Sequence, residues 1–543
     1  MINKIKKVSP YRVCILAAGA GTRNSFSKNI HKALLPINYQ TIISRIIDYY
    51  PKNISFVVAV SHKAKLISDY LKIVKPNHKI TFVTVRKSKG YGSGPGRSLL
   101  ECEKFLQSPF IFHSCDTIIQ HGTIPGPTYN WVGYDFTDVK KEYVSINKKN
   151  SLTNFFVVTK NNSKAFIGIS GIKDYKLFWD SLKKENYYSK LINKKQKKIF
   201  FEKQTIDGFK FLENNLAMVK FAWLDTGNDE SYMKTKEILE KNKKKYPLQK
   251  DEFLYFENKK VIKLFSKFNS AKNKFKRAYF IKLFLPKNIG FFGNYLYYDY
   301  TKGVPLLNIK DIKIFNYISN SLFKKFWFKK KLTNKRKLHF NRQCLLFYKD
   351  KTKKRVDDFL NKYQYIDSIK TINGEKVPSI NYLLKNINWK LLSQGIPVNF
   401  HGDTAINNII SESKKKFTLI DWRESFGNIK SYGDVYYDLS KIYHTLSVSH
   451  IHLEKKLYYL RVNKNLKVDL YLKRIQHIYK FQKIFTKQIS EFNYDLKKVK
   501  IISWLILLNS APLHSNKENA IIYFLLGKIY LNQELKNSQF KLK

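Results

Sequence analysis

The sequence predicts an α/β protein of two dissimilar halves: a doubly wound, largely parallel sheet first, then an α+β domain of another kind. Three observations carry this. Short apolar runs alternate with helical periods as far as Lys241, the rhythm of a parallel sheet covered on both faces. The first apolar run, Val13-Cys-Ile-Leu-Ala-Ala18, breaks into glycines at Gly19 and Gly21. Beyond lysine-rich Asn242–Gln249, which contains Pro247, the rhythm stops. The expected division is a basic tail over 1–9, a first domain over 10–241, a linker over 242–250 and a second domain over 251–543.

The chain's 543 residues exceed one ordinary core, and its 43% hydrophobic and 15% aromatic content argues against wholesale disorder. The formal charge of +59 has two readings: an electrostatic surface for nucleic acid or anionic lipid, or lysine spread over solvated faces. The lysines are dispersed and no RNA-binding signature accompanies them, so the second reading is preferred and no nucleic-acid partner is expected. Cys14, Cys102, Cys115 and Cys344 form no C-x-x-C pair, which suits reduced thiols in a cytosol. No apolar run approaches the ~18 residues of a membrane span. A soluble, cytoplasmic protein is expected, with at most peripheral membrane contact; the oligomeric state is not legible.

The loop after the first strand comes next. Glycines let the backbone approach a phosphate, and the freed amides form an anion nest. Arg23 and Lys32 add two cations that would clamp a triphosphate and steady the charge developed during its attack. The dinucleotide fingerprint fails because Asn24 replaces its third glycine, and a Walker loop fails because Gly21-Thr22-Arg23 does not end in Gly-Lys-Ser/Thr. What remains, L-A-A-G-x-G-T-R followed by K-A-L-L-P, resembles the sugar-phosphate nucleotidyltransferases, whose domain is Rossmann-like. The resemblance implies that Leu16, Ala17, Ala18, Gly19, Gly21 and Thr22 bind the nucleotide, with Arg23 and Lys32 catalytic.

Thr41–Tyr50 and Ala64–Leu71 read as helices, and Ile54–Val60 and Lys79–Val85 as further strands. Gly90-Tyr-Gly-Ser-Gly-Pro-Gly96 precedes a helix predicted over Leu99–Leu106. It reads as a second nucleotide loop, with Gly92 and Gly94 at its centre, or as a flexible linker. Phe110–Asp116 and Phe221–Gly227 are strands that each close on a carboxylate, Asp116 and Asp225. A lone aspartate there commonly caps a turn; together the pair would hold Mg²⁺, which takes hard oxygen donors. Both match the family's metal aspartates, W-L-D-T-G being the more specific motif. The family's substrate lysine would be Lys160, here without flanking Glu and Pro, and Ala165–Gly171 is similar to its substrate-side segment, giving Gly168.

In the second half, Phe253–Phe265 reads as a hairpin turning at Glu257–Lys260. Its Lys263 either faces solvent or, as in a kinase N-lobe, meets ATP phosphates. Val398–Ile410 contains H-G-D-x-x-x-x-N, and Phe417–Ile420 leads into Asp421-Trp422-Arg423. An Asp, an Asn and a second Asp supply a hydroxyl-proton acceptor and Mg²⁺ ligands. With Tyr295–Pro305 as hinge and Gly433-Asp-Val-Tyr-Tyr-Asp438, the set resembles the aminoglycoside phosphotransferase and choline kinase-like proteins, a protein-kinase-like fold. The resemblance implies Asp403 as base, Asn408 and Asp421 on magnesium, and His401, Asp434 and Asp438 as bracing groups. Residues 440–540 read as amphipathic helices walling the acceptor pocket.

Together these imply a bifunctional enzyme. ATP would phosphorylate a small hydroxylated metabolite, a sugar or amino alcohol, and CTP or UTP would then convert the phosphate to an activated donor for surface polysaccharide or cell-envelope synthesis. Three alternatives stay open: one half alone is catalytic, the chain is a basic nucleic-acid-binding protein on nucleotide folds, or it is a structural or membrane-surface scaffold, for which only the charge speaks.

Overall fold

The structure is a computed structural model that describes residues 11–19, 21, 30–137, 143–149, 152–157, 162–195, 201–241, 252–463, 466–536 and 538–542. The expected tail, Thr22, Arg23, Lys160 and the expected linker over 242–250 lie outside these residues. The chain forms two compact units. The first holds 1–271 with 291–297, and the second holds 272–290 with 298–543.

The first unit is a mixed α/β layer structure around a nine-stranded sheet. Strands β1 (Arg12–Ala17), β2 (Ser55–Val60), β3 (Ile80–Thr84) and β4 (Phe110–Ser114) are parallel in the order β3-β2-β1-β4. Their apolar runs are continuous because both faces are covered. Val13, Ile15, Ala17, Phe56 and Val58 enter one buried cluster, while Cys14, Leu16, Val57 and Ala59 enter another. Thr41 caps the helix Ile42–Asp48 by accepting from the Ser44 amide at 3.2 Å. Helix Ala64–Val74 buries Ile67, Tyr70, Leu71 and Val74, one stripe at helical spacing.

The rest of the sheet corrects the parallel expectation. After β4 the chain turns straight into β5 (Thr117–His121), then β6 (Trp131–Thr137), β7 (Val144–Lys149), β8 (Leu152–Val157) and β9 (Ser163–Ile172). Strand β9 runs antiparallel to β4 and β6, and β7 pairs antiparallel with β8. Strands that follow one another without a crossover helix can pair only this way. β10 (Ala217–Lys220) adds to β6, and β11 (Ala222–Asp225) pairs with β5. The expected helix over Leu99–Leu106 is shorter: Pro95–Leu100, followed by a 3₁₀ turn over Glu103–Phe105.

The hairpin β12 (Glu252–Glu257) and β13 (Lys260–Phe265) turns where expected, through Asn258 and Lys259 at φ 51° and 58°, the left-handed pair of a type I′ turn. It belongs to the first unit and not to the second domain. Phe253, Tyr255, Ile262 and Leu264 join the core of β1 and β2, and the Tyr255 hydroxyl donates to Leu34 O at 2.9 Å. Buried Glu257 pairs with Lys75 at 2.8 Å, accepts from the Tyr70 hydroxyl at 2.8 Å and contacts the Ser44 hydroxyl. Removing one partner of a buried pair strands the other charge, although Lys75 keeps Asp48 at 2.6 Å. Glu257→Ala should therefore cost about 3 kcal/mol of first-unit stability, read as a lowered Tm by calorimetry. An unchanged Tm would contradict this packing.

The second unit is α+β. Val304–Pro305, Ile409–Ser413 and Lys416–Leu419 form a three-stranded sheet. Helix Leu496–Ser510 is buried nearly all round by helices Val435–Ser447 and Lys517–Leu535 among others, as its uninterrupted apolar run requires. The stretch read as all helix also contains a hairpin, Tyr458–Val462 with Lys467–Leu472, in which Val468 and Leu470 are buried alternately. Among the described residues no helix is long and apolar enough to cross a membrane. All four cysteines are buried and free.

Candidate functional sites

In the first unit the glycine loop leaves β1 where the strand order reverses, between β2 and β4, the crevice in which open α/β sheets hold ligands. Gly21 stands at φ 65°. His31 fixes the loop's base: its Nδ1 accepts from the Ala33 amide at 3.1 Å, so Nε2 carries the proton and donates to Gly19 O at 2.9 Å. Burial, with the neighbouring Lys32 charge, lowers the His31 pKa to about 4, and the ring is neutral. Sequence reading passed over His31, whose only signal was its place directly before Lys32.

Register brings the two carboxylates together. Leu16 lies opposite Ser114, which places Asp116 beside the loop, and Asp225 lies opposite Thr117. Asp116 accepts from Ser114 Oγ at 2.6 Å and pairs with Lys32 Nζ at 2.6 Å. Asp225 accepts from the Tyr143 hydroxyl at 2.9 Å and from the Gly227 amide at 3.1 Å. Thr226 sends both its amide and its hydroxyl to Asp116 O, at 3.0 Å each, clamping the two turns. A methyl group placed on Gly227 would lie 3.2 Å from Asp225 Oδ1 and 3.6 Å from Asp116 Oδ2, so both carboxylates face one gap that glycine leaves open. Burial, then the Asp116 charge, raises the Asp225 pKa. Two convergent hard-oxygen donors that repel each other fit Mg²⁺. Among the described residues no group of three or more His, Cys, Asp or Glu side chains is placed to hold a metal ion.

Leu16, Pro95, Asp116, Gly168, Asp225 and Asn228 line a cavity of about 200 Å³, with Phe112, Phe166 and Trp223 as aromatic wall. Gly168 occupies a bulge of β9 at φ 77°, where a side chain would meet Ser114 Cβ at 2.8 Å. Gly92 and Gly94 are not among the lining residues. The Gly92 amide donates to Phe201 O at 2.7 Å, and a Cβ on Gly94 would meet Lys203 O at 2.5 Å. This loop is neither a flexible linker nor an open nest: it is tied to the segment 201–204 and reaches the cavity through Pro95. Lys263 does not face solvent; it is buried on β13 and pairs with Glu252 at 2.7 Å.

In the second unit Asp403, Asn408 and Asp421 belong to one knitted loop system. Asn408 Nδ2 donates to Asp403 O at 3.0 Å, the Ile420 amide donates to Asn408 O at 2.9 Å, and the Arg423 amide donates to His401 O at 3.0 Å. Asp421 sits at φ 64°, an uncommon conformation for a residue with a side chain, and pairs with Lys274 at 3.3 Å. Asp403 pairs with Lys441 Nζ at 2.8 Å. Fully buried Asp438 accepts from the amides of His401 at 2.9 Å and Gly402 at 2.7 Å, and from Trp327 Nε1 at 3.2 Å. Burial pushes its carboxyl up to about 7 against the pull of those donors. Asp434 caps helix Val435–Ser447 and accepts from the Tyr348 hydroxyl at 2.6 Å. His401, fully buried and held near pKa 4 by that burial, accepts from the Asp403 amide at 3.2 Å. Arg277, which sequence reading missed, is buried against the carbonyls of Phe400 and Lys430.

Asp438→Ala would orphan two buried amides, at about 1–3 kcal/mol each. A Tm loss by calorimetry, with the His401–Asp403 loop losing amide-exchange protection, is expected. Unchanged protection would show that Asp438 does not hold the loop.

No protein-family model matches the chain, and no curated protein matches it. Among solved structures, a UDP-glucose pyrophosphorylase complexed with UDP-glucose is similar over 43% of this chain and 100% of its own, at 15% identity and TM-score 0.35. A CTP:phosphocholine cytidylyltransferase from Streptococcus pneumoniae is similar over 42% and 100%, at 18% identity and TM-score 0.34. An inositol-1-phosphate CTP transferase from T. maritima is similar over 44% and 98%, at 11% identity and TM-score 0.33.

Proposed function

We propose that the first unit transfers a nucleotidyl group from CTP or UTP to a small phosphorylated metabolite, and that the second makes that phosphate from the hydroxyl compound and ATP. The observation that carries the reading is the convergence of Asp116 and Asp225 on the gap at Gly227, at the carboxyl ends of β1 and β4. In the first reaction an oxygen of the substrate phosphate attacks the α-phosphorus. The new P–O bond forms as the α,β-bridging bond breaks, and pyrophosphate leaves. Mg²⁺ held by Asp116 and Asp225 would neutralise phosphate charge. Lys32, 2.6 Å from Asp116, would clamp the triphosphate beside it, with Leu16, Ala17, Ala18, Gly19 and Gly21 for its cradle and Gly168 on the substrate side; for Thr22, Arg23 and Lys160 the sequence resemblance alone supplies the nucleotide, catalytic and substrate roles. Positioning and charge neutralisation suffice, with no covalent intermediate.

In the second reaction the acceptor hydroxyl gives its proton to Asp403 and attacks the γ-phosphorus. The β,γ-bridging bond breaks and ADP leaves. Asn408 and Asp421 would supply oxygen donors for Mg²⁺. The knitted Asp403–Asn408–Asp421 loops support this half. The product is an activated donor for surface polysaccharide or cell-envelope synthesis. The test supplies CTP or UTP labelled at the α-phosphate with a set of sugar and alcohol phosphates. Label must pass into a new product with one equivalent of pyrophosphate; hydrolysis to free nucleotide alone would defeat the proposal.

A further inference from the structure

Three cations gather around Tyr437, and one of them reaches the candidate base of the second unit. Lys441 Nζ lies 2.8 Å from Asp403 Oδ1. Lys351 Nζ stands 4.5 Å from the Phe347 ring centre and 5.5 Å from that of Tyr437, and the Arg423 guanidinium carbon stands 5.3 Å from Phe347. The Phe347 and Tyr437 rings meet edge to face at 4.9 Å, forming one aromatic wall on which two of the cations rest. Among the described residues Lys441 pairs with Asp403, and neither Lys351 nor Arg423 pairs with a carboxylate. The field is felt locally: burial raises the Tyr437 phenol, but Lys351, Arg423 and Lys441 more than offset it and bring it down to about 8. Half-buried cations with too few anions suit an incoming negative charge.

The arrangement also says on which side of the reaction that charge arrives. Asp421, a proposed magnesium ligand, has its own cation, Lys274 at 3.3 Å. The cluster of three reaches Asp403, the group that would receive the acceptor's proton, through Lys441. We infer that the acceptor phosphorylated by the second unit is itself an anion, whose carboxylate or phosphate is held by Lys351 and Arg423 while Asp403 takes the hydroxyl proton. This rests on the phosphotransferase reading and narrows it: a neutral sugar or cationic amino alcohol would leave the cluster uncompensated.

The test uses the full chain with Mg²⁺, ATP and a charcoal-treated small-metabolite extract, split on an anion exchanger into retained and flow-through fractions. ADP formation that Asp403→Asn abolishes should be about 10-fold or more greater with the retained fraction. Arg423→Gln and Lys351→Met should each raise KM for that fraction about 10-fold and leave KM for ATP within about twofold, while Arg423→Lys retains affinity. Treating the retained fraction with alkaline phosphatase separates the two oxyanions, since carboxylates survive it and phosphomonoesters do not. Asp403-dependent turnover confined to the flow-through would overturn the inference and leave the phosphotransferase reading standing. A rise in KM for ATP alone would assign the cluster to the nucleotide and overturn it equally. No Asp403-dependent ADP from either fraction would defeat the phosphotransferase reading, and this inference with it.

Discussion

Asp225→Asn in the full chain is expected to lower the proposed nucleotidyl transfer roughly 10²–10³-fold, the loss typical of a removed transition-state charge group, and to leave the proposed ATP-dependent phosphorylation unchanged. The expectation comes from geometry. Asp225 and Asp116 are anchored by different strands, clamped by Thr226, and turned toward the same gap. Asparagine keeps the volume and can still accept from the Gly227 amide, so the fold is spared. What would be lost is one of the two carboxylates proposed to hold the charge-neutralising Mg²⁺. Asp116→Asn should match it and also release Lys32 from its 2.6 Å partner. Pyrophosphate release measured against added phospho-substrate decides the matter. A variant that folds and retains wild-type turnover would remove these carboxylates from the reaction.

Asp403→Asn is expected to lower phosphorylation roughly 10²-fold or more, since an amide cannot take up the hydroxyl proton. Its backbone ties, to His401 Nδ1 and Asn408 Nδ2, do not involve the carboxylate and persist. Nucleotidyl transfer to a supplied phospho-substrate should remain. ADP formation and label transfer, measured on the same preparation, separate the two activities. Loss of both in a folded variant would sink the two-site reading.

How far these sites could be read from sequence follows from what each residue's neighbours are. β1 was legible because both of its faces are buried, leaving a continuous apolar run that ends where the glycines begin. Asp116 and Asp225 were each legible as strand-end carboxylates; their convergence depends on the β5–β11 pairing, which no local pattern announces. The hairpin turn was legible at Asn258–Lys259, but not which core its strands would join, because Tyr255 and Leu264 suit either. The antiparallel part of the sheet was hidden by strands whose alternation resembles that of any half-buried strand. The hairpin Tyr458–Val462 with Lys467–Leu472 was hidden by apolar and aromatic residues that fit a helix equally well. Gly92 and Gly94 show the converse: their pattern was plain, and part of its cause is close packing against residues 201–204. The cation cluster draws on helices and loops far apart in the chain, so only the fold assembles Lys351, Arg423 and Lys441.

Two aspartate-based sites acting in sequence on one metabolite would leave a distinct pattern of products. Mass spectrometry tests it most directly, on reactions holding a small-metabolite extract, Mg²⁺, ATP, CTP and UTP, with wild type beside Asp403→Ala and Asp116→Ala. The expected result is a new nucleotide-linked mass that requires both aspartates, with a phosphorylated precursor accumulating in Asp116→Ala alone. A nucleotide-linked product that survives the loss of Asp403 would contradict it.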